Sequence, residues 1–247
     1  MITTGIYRKS LYLAMIMMTL AGSAELAGRS REEYITRHPV ENGFALARDG
    51  DPAPLWVSDQ DFPGVLRVAG HLQADMEKVT GNRPLLINDS DPAPCDRMII
   101  AGTLGKNPLI DQLVQSRRIS GKWLKGKRET YIATIIKEPA IGIREALVIA
   151  GSDKLGTIYG LYDLSRQIGV SPLHFWADVP VSPAKDLYAM PGEYTPGEPA
   201  VRYRGIFIND EAPALSGWVH ERYGAFNSRF YEHVFEYILR MRGNFLW

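Results

Sequence analysis

The stretch 146-ALVIAGSDKLGTIYGLYDLSRQIG-169 decides the fold. ALVIA is a continuous apolar run with the branched residues of a buried strand, glycines follow at 151 and 156, and Ile158, Leu161, Tyr162, Ser165 and Ile168 then recur at helical spacing. A strand, a glycine turn and a helix in that order form half of a β/α unit. The same grammar extends upstream. Residues 63–80 place Val65, Val68, Leu72, Met76 and Val79 on one helical face before Gly81, while 85-LLI-87, 97-RMIIAG-102 and 130-TYIATIIKEP-139 read as strands. The segment 40-VENGFALARDGDPAPLWVSD-59 reads as two short strands around a DGD turn. Strands alternating with helices predict an α/β fold with a small mixed sheet domain over residues 38–180.

Composition narrows what such a domain can do. Lys plus Arg and Asp plus Glu both number 28, so no overall field draws nucleic acid or an anionic membrane, and a nucleic-acid partner is not expected. Cys95 is the only cysteine, so the chain forms no internal disulfide and offers no cysteine cluster to zinc. The five histidines are scattered, and no metal or other cofactor is expected. At the N-terminus Arg8 and Lys9 precede the eleven-residue run LYLAMIMMTLA and the small residues of AGSAELAG. That order is a secretory signal, and the run is well short of the roughly 20 residues that span a bilayer. Residues 1–24 are therefore expected to be a signal peptide, with secretion or periplasmic export and no membrane attachment afterwards.

After the α/β domain, residues 181–200 sit in a stretch with five prolines and two glycines between 179 and 199, expected to be a linker with room for a short strand. Beyond it, 201-VRYRGIFI-208 restarts a strand, FNSRFYEHVFEYILRMRG is an amphipathic helix with Phe230, Val234, Phe235, Ile238 and Leu239 inward, and GNFLW begins another strand. Residues 201–247 thus read as the first elements of an incomplete (β/α)8 barrel, which takes about 250 residues when whole. The sequence leads one to expect the front portion of a longer protein, or a truncated product.

Asn209, Asp210 and Glu211 fall where β/α enzymes gather functional groups, at the C-terminal end of the strand. Adjacent side chains on an extended backbone point opposite ways, so at most one of the two carboxylates enters a central pocket. From the residues themselves, a polar loop in which Asp210 caps a turn stands equally open. Downstream, 216-SGWVHERYG-224 reads as a glycine-bounded loop offering Trp218, His220, Glu221, Arg222 and Tyr223, a mixture that suits carbohydrate and equally a solvated loop with one aromatic anchor. Neither AGSDKLGT nor AGTLGKNP has the spacing of a phosphate loop or dinucleotide fingerprint, which weighs against a nucleotide-dependent enzyme. In SPLHFWADVP, His174, Phe175, Trp176 and Asp178 read as a core corner ahead of a ligand platform.

Taken together, AGSDKLGTIYGLYDLSRQIGVSP, FWADVPV and YRGIFINDEAPALSGW resemble the N-terminal part of glycoside hydrolase family 115, the xylan α-1,2-glucuronidases, from about Asn42 to Trp247. The resemblance implies an α/β accessory domain before a (β/α)8 catalytic barrel, and removal of glucuronic or 4-O-methylglucuronic acid from glucuronoxylan or its oligosaccharides with inversion. Inversion needs an acid and a base carboxyl about 6.5–9.5 Å apart. By this resemblance Asn209, Asp210 and Glu211 match substrate-binding positions and Glu221 a candidate catalytic carboxylate, while the acid lies later in the barrel, so the chain alone is expected to be inactive. A homodimer of the full-length protein is compatible with the same resemblance. The chain departs from the family pattern at 173-LHF-175 and Leu155. A noncatalytic carbohydrate-binding or interaction module is the other reading.

Overall fold

The computed structural model describes residues 33–89 and 91–247; the expected signal peptide lies outside them. Residues Tyr34–Trp247 form one compact unit. Its centre is a six-stranded mixed sheet, ordered β10 (Glu193–Tyr194), β7 (Tyr131–Lys137), β8 (Ile143–Gly151), β6 (Cys95–Thr103), β4 (Leu55–Val57) and β5 (Leu86–Ile87). The strands β8, β6, β4 and β5 run parallel, whereas β7 and β10 add antiparallel pairs at one edge.

The continuous apolar runs follow from burial on both faces. Leu55, Val57, Ile99, Ala101, Leu147 and Ile149 point to one side, under α1 (Pro63–Thr80) and α3 (Lys154–Gln167). Trp56, Met98, Ile100, Ala146 and Val148 point to the other, under α2 (Pro108–Gln115). The helix α1 has the expected bounds: proline at its start and Gly81 in the left-handed region (φ 83°) at its end, where the Gly81 N–H bonds Glu77 O. The helix α2 was not legible as such; its signals are the Pro108 start and Asn107, whose Oδ1 accepts from the N–H groups of Leu109 and Ile110.

The glycine turn of the opening stretch works differently from a left-handed turn. A Cβ on Gly151 would lie 2.1 Å from Thr157 Oγ1, and one on Gly156 would lie 2.1 Å from Thr130 O, so both glycines permit close approach. Asp153 Oδ1 accepts from Gly156 N–H at 2.8 Å, placing a carboxylate at the helix start where a phosphate would otherwise sit.

The second sheet orders β1 (Ile35–Thr36), β9 (Leu187–Ala189), β2 (Phe44–Arg48) and β3 (Asp51–Pro52). The segment 181–200 is therefore woven into the unit: Leu187–Ala189 pairs with both β1 and β2, and Glu193–Tyr194 pairs with β7. Its prolines bracket two short runs whose apolar residues, Leu187 and Ala189, join the core. Composition alone reads that segment as a linker, because local chemistry does not report distant pairing partners.

The last elements are β11 (Gly205–Ile206), α4 (Ala214–Tyr223), α5 (Ser228–Arg240) and β12 (Phe245–Leu246), with β11 and β12 parallel. On α5, Phe230, Val234 and Ile238 are buried as expected and Leu239 partly so, but Phe235 is half exposed and corrects the expected inward face. Two polar clamps tie these elements to the α/β layers. Arg240 Nη2 donates to Asp75 Oδ2 of α1 at 2.7 Å and Arg240 Nε to Glu236 Oε1 at 2.8 Å, with side chains of Arg240 and Asp75 only 3% and 1% exposed. Burial pulls the Arg240 pKa down, but Asp75 and Glu236 outweigh it and the net shift is upward. Its guanidinium also lies 4.6 Å from the Tyr162 ring centre. In the second clamp Arg204 pairs with Glu129, and Tyr159 O–H donates to Gly243 O at 2.9 Å.

Asp75→Ala leaves the Arg240 charge buried beside Glu236 alone, and urea unfolding should show a loss of about 3–5 kcal/mol. His71 packs into the same clamp, its Nδ1 2.7 Å from Tyr162 Oη and 4.0 Å from Glu236 Oε1. Burial lowers its pKa below the usual 6.5 despite Glu236. The unfolded chain then binds the extra proton first, so this contribution to stability is present above about pH 6.5 and is lost as pH falls through the folded value. His174 is lowered for the same leading reason. Urea midpoints between pH 7.5 and pH 5 should therefore fall less in His71→Gln than in the parent, in ~10 mM buffers of matched ionic strength.

Candidate active site

Alternation along β11 sets the site. Ile206 and Ile208 pack inward on the cluster of Val219, Phe230, Val234 and Ile238. The opposite face carries Phe207 and Trp247, 63% and 79% exposed, with ring centres 5.6 Å apart. Pairing outlasts the formal strands, since Trp247 N–H donates to Ile206 O at 3.0 Å and Ile208 N–H to Trp247 O at 2.9 Å. The backbone is thus held up to the residue before Asn209. Asn209 has the parity of Phe207 and Asp210 that of Ile208.

Asn209, Asp210 and Glu211 are all exposed at the C-terminal end of β11. The turn is organised by Asn209, whose Oδ1 accepts from Glu211 N–H at 3.2 Å. Asp210 capping, one reading of the sequence, is not the arrangement: α4 starts after Pro213 without a side-chain cap. The peptide Ala212–Pro213 is cis.

The stretch 216–224 corrects the loop expectation, because residues 214–223 form helix α4. Gly217 suggested a loop boundary, yet nothing lies within 4 Å of where its Cβ would be, so it is an exposed helical glycine. Val219 is the helix's buried residue, and Glu221, about 200° further round at 3.6 residues per turn, is exposed to solvent. The structure brings Asn209, Asp210 and Glu211 together on one turn and places Glu221 on a separate helix. Trp218 packs on Phe230 and Tyr223, so these two rings are core walls. Trp176 joins them through Trp218 and Phe230, and Phe175 stacks on His233 with ring centres 3.9 Å apart, while every residue of 171–180 is half-buried or exposed.

Sequence reasoning passed over Phe207 and Trp247. Their signal was available in the period-two pattern: an aromatic residue sits two before Asn209 and another closes the GNFLW strand. Below the sheet, Leu173, Trp176, Ile206, Ile208, Leu215, Phe230, Val234 and Tyr237 line an apolar cavity of about 290 Å³. Among the described residues no group of three or more His, Cys, Asp or Glu side chains is placed to hold a metal ion.

These strand-end groups lie in a segment with relatives. Residues 196–247 match the profile of glycosyl hydrolase family 115. A solved structure, that of a family GH115 4-O-methyl-α-glucuronidase with specificity for decorated arabinogalactans, is similar with a TM-score of 0.68 and 31% identity, over 83% of this chain and 25% of that one. A search of curated proteins gives no match. The fold thus has its likeness among glycoside hydrolases. The resemblance to family 115 is shown both by residues 196–247 and by the structural match over 83% of the chain. The chain spans a quarter of the length of that relative.

Because Asp210 is exposed and outside the packed cluster, Asp210→Ala should change stability by no more than about 0.5 kcal/mol, whereas Asn209→Ala, which removes the acceptor for Glu211 N–H, should cost about 0.5–1.5 kcal/mol by urea unfolding. Phe230→Ala, which empties the centre of that cluster, should cost about 3–5 kcal/mol in the same urea titration.

Proposed function

We propose that this chain is the N-terminal part of a glycoside hydrolase of the α-glucuronidase type, exported by its N-terminal signal and acting on polysaccharides that carry glucuronic or 4-O-methylglucuronic acid. The observation that carries this reading is the parallel β11–β12 pair joined through two helices, with Asn209, Asp210 and Glu211 at its C-terminal end. Two strands do not make a stable sheet alone. Their aromatic face is the side that a (β/α)8 barrel would turn inward, while Ile206 and Ile208 already meet the helices. Residues 201–247 are then the first β/α elements of that barrel, and residues 38–180 an accessory domain.

In this arrangement Asn209 reaches the sugar beside Phe207 and Trp247, using its amide for hydroxyl groups, while the Asp210 and Glu211 carboxylates stand at the rim of the pocket. Glu221 is the candidate catalytic carboxylate. Its exposed place on α4 supports a role only once further elements cover that helix. An inverting reaction needs a protonated carboxyl at the leaving oxygen and a second carboxylate holding water on the opposite face, about 6.5–9.5 Å apart. Within residues 201–247, Glu232 and Glu236 are paired with Arg67 and Arg240, which leaves Asp210 and Glu211 adjacent on one open turn and Glu221 facing solvent. The substrate class is uronate-decorated xylan or, by the specificity of the solved relative, decorated arabinogalactan.

The chain alone should release no free uronic acid from glucuronoxylan or decorated arabinogalactan; chromatographic detection of released uronic acid would overturn the incomplete-pair assignment. In an NMR titration, glucuronic acid should shift the Asn209 and Asp210 amide signals and xylose should not. Unmoved signals at both residues would remove them from the sugar site.

A further inference from the structure

The connection between α2 and β7 concentrates charge in an otherwise neutral protein. Between Asp111 and Glu129 there is no acidic residue, and the twelve residues 117-RRISGKWLKGKR-128 contain six cations. The fold forces these charges outward. Ile119 and Leu124 are buried against the Trp56–Val148 side of the sheet, and Arg117, Arg118, Lys122 and Lys125 stand exposed around them. The backbone is fixed too: Arg117 N–H donates to Val114 O at 3.2 Å, while Arg118 and Ile119 N–H donate to Leu113 O at 2.9 and 3.1 Å.

The cations divide by partner. Lys127 and Arg128 lie 3.6 and 3.4 Å from the Glu198 carboxylate, which secures the end of the loop. The Arg118 guanidinium donates to the backbone carbonyls of Glu138, at 2.8 Å, and Lys137, contacts that orient the fork without neutralising it. Lys122 Nζ sits 4.8 Å from the Trp123 ring centre. Among the described residues, no ion pair within 4.0 Å involves Arg117, Arg118, Lys122 or Lys125. The Glu145 carboxylate nearby is taken by Lys137.

We propose that this loop is a docking surface for acidic polysaccharide, in which Arg117, Arg118, Lys122 and Lys125 take up the carboxylates of uronic acid side groups outside the catalytic pocket. The assignment of polymer class rests on the glycosidase reading above. Two of the five Arg118 N–H groups are held by backbone carbonyls, so the guanidinium is fixed in place with its remaining N–H groups open to a carboxylate, which spares ordering entropy on binding. A local positive patch on a protein of zero net charge favours a polyanion at this spot without general stickiness. Position separates the loop from chemistry. Its downstream end reaches Glu198, Pro199 and, through Glu129, Arg204, all preceding β11, whereas Asn209–Glu211 follow β11. Docking here would hold the polymer while a distant side group is processed.

Affinity electrophoresis of the 247-residue chain tests this in gels containing glucuronoxylan, the same polymer with its carboxyl groups reduced to alcohols, or duplex DNA. The expected result is retardation by glucuronoxylan that falls with salt, vanishes in the carboxyl-reduced polymer and exceeds that by DNA. Both Arg117→Ser/Arg118→Ser and Lys122→Glu/Lys125→Glu should weaken binding by about tenfold or more. The lysine pair makes no backbone contact among the hydrogen bonds described, so it remains informative if the arginine pair disturbs folding, which circular dichroism monitors. No retardation, equal retardation after carboxyl reduction, or stronger retardation by DNA would each overturn the proposal. Retardation kept in both loop variants but lost in Asn209→Ala/Asp210→Ala would also overturn it, while leaving the strand-end sugar site standing.

Discussion

The buried Arg240–Asp75 pair is the constraint on which the placement of the last elements depends. A charge with 3% of its side chain exposed is tolerable only where a partner charge waits, and Asp75 on α1 provides it from 165 residues earlier in the chain. Glu236 on the same helix as Arg240 takes a second donor, and Tyr162 from α3 lays its ring against the guanidinium. Three helices thereby share one cation. A displaced α5 would strand that charge, so the pair gives the packing directional specificity that the apolar contacts of α5 lack.

The second clamp sets the strand. Arg204, immediately before β11, is held by Glu129 and donates to Arg242 O at 2.9 Å, while Asn244 before β12 donates to Glu129 at 3.1 Å. One carboxylate thus anchors the starts of both parallel strands. With their starts fixed, the register Gly205↔Phe245 follows, and the opposite strand ends deliver Asn209 beside Phe207 and Trp247. Burial raises the Tyr159 hydroxyl to about 12, with Glu129 adding to the effect, so it stays a neutral donor to Gly243 O across the physiological range. The uronate chemistry proposed for the strand ends is accordingly remote from the ionic apparatus that positions it.

Much of this was legible in sequence because the signals were local. The α1 helix declares itself by Pro63, its apolar spacing and Gly81; the buried strands by continuous branched residues; the strand-end polar cluster by the abrupt change after Ile208. The failures are equally physical. Gly217 and the charged residues of 216–224 disguise α4, whose burial falls on Val219 and whose neighbours are supplied by α5 and β11. The prolines of 181–200 hide β9 and β10, because a two- or three-residue strand has no period of its own to read. Asp210 capping the turn was one of two open readings, and Asn209 occupies that role instead.

The sequence by itself determined the α1, α3 and α5 helices, the long apolar strands at the centre of the six-stranded sheet and the position of Asn209, Asp210 and Glu211 at the end of an apolar strand, since each follows from the order of neighbouring residues. Tertiary structure alone decided that Arg240 finds Asp75, that Glu129 ties two strands, that Glu221 faces solvent, and that Phe207 and Trp247 share an open face. Those outcomes depend on groups brought together from distant parts of the chain, and the energy of a buried charge or a paired strand is fixed by the partner it meets, not by the residues beside it.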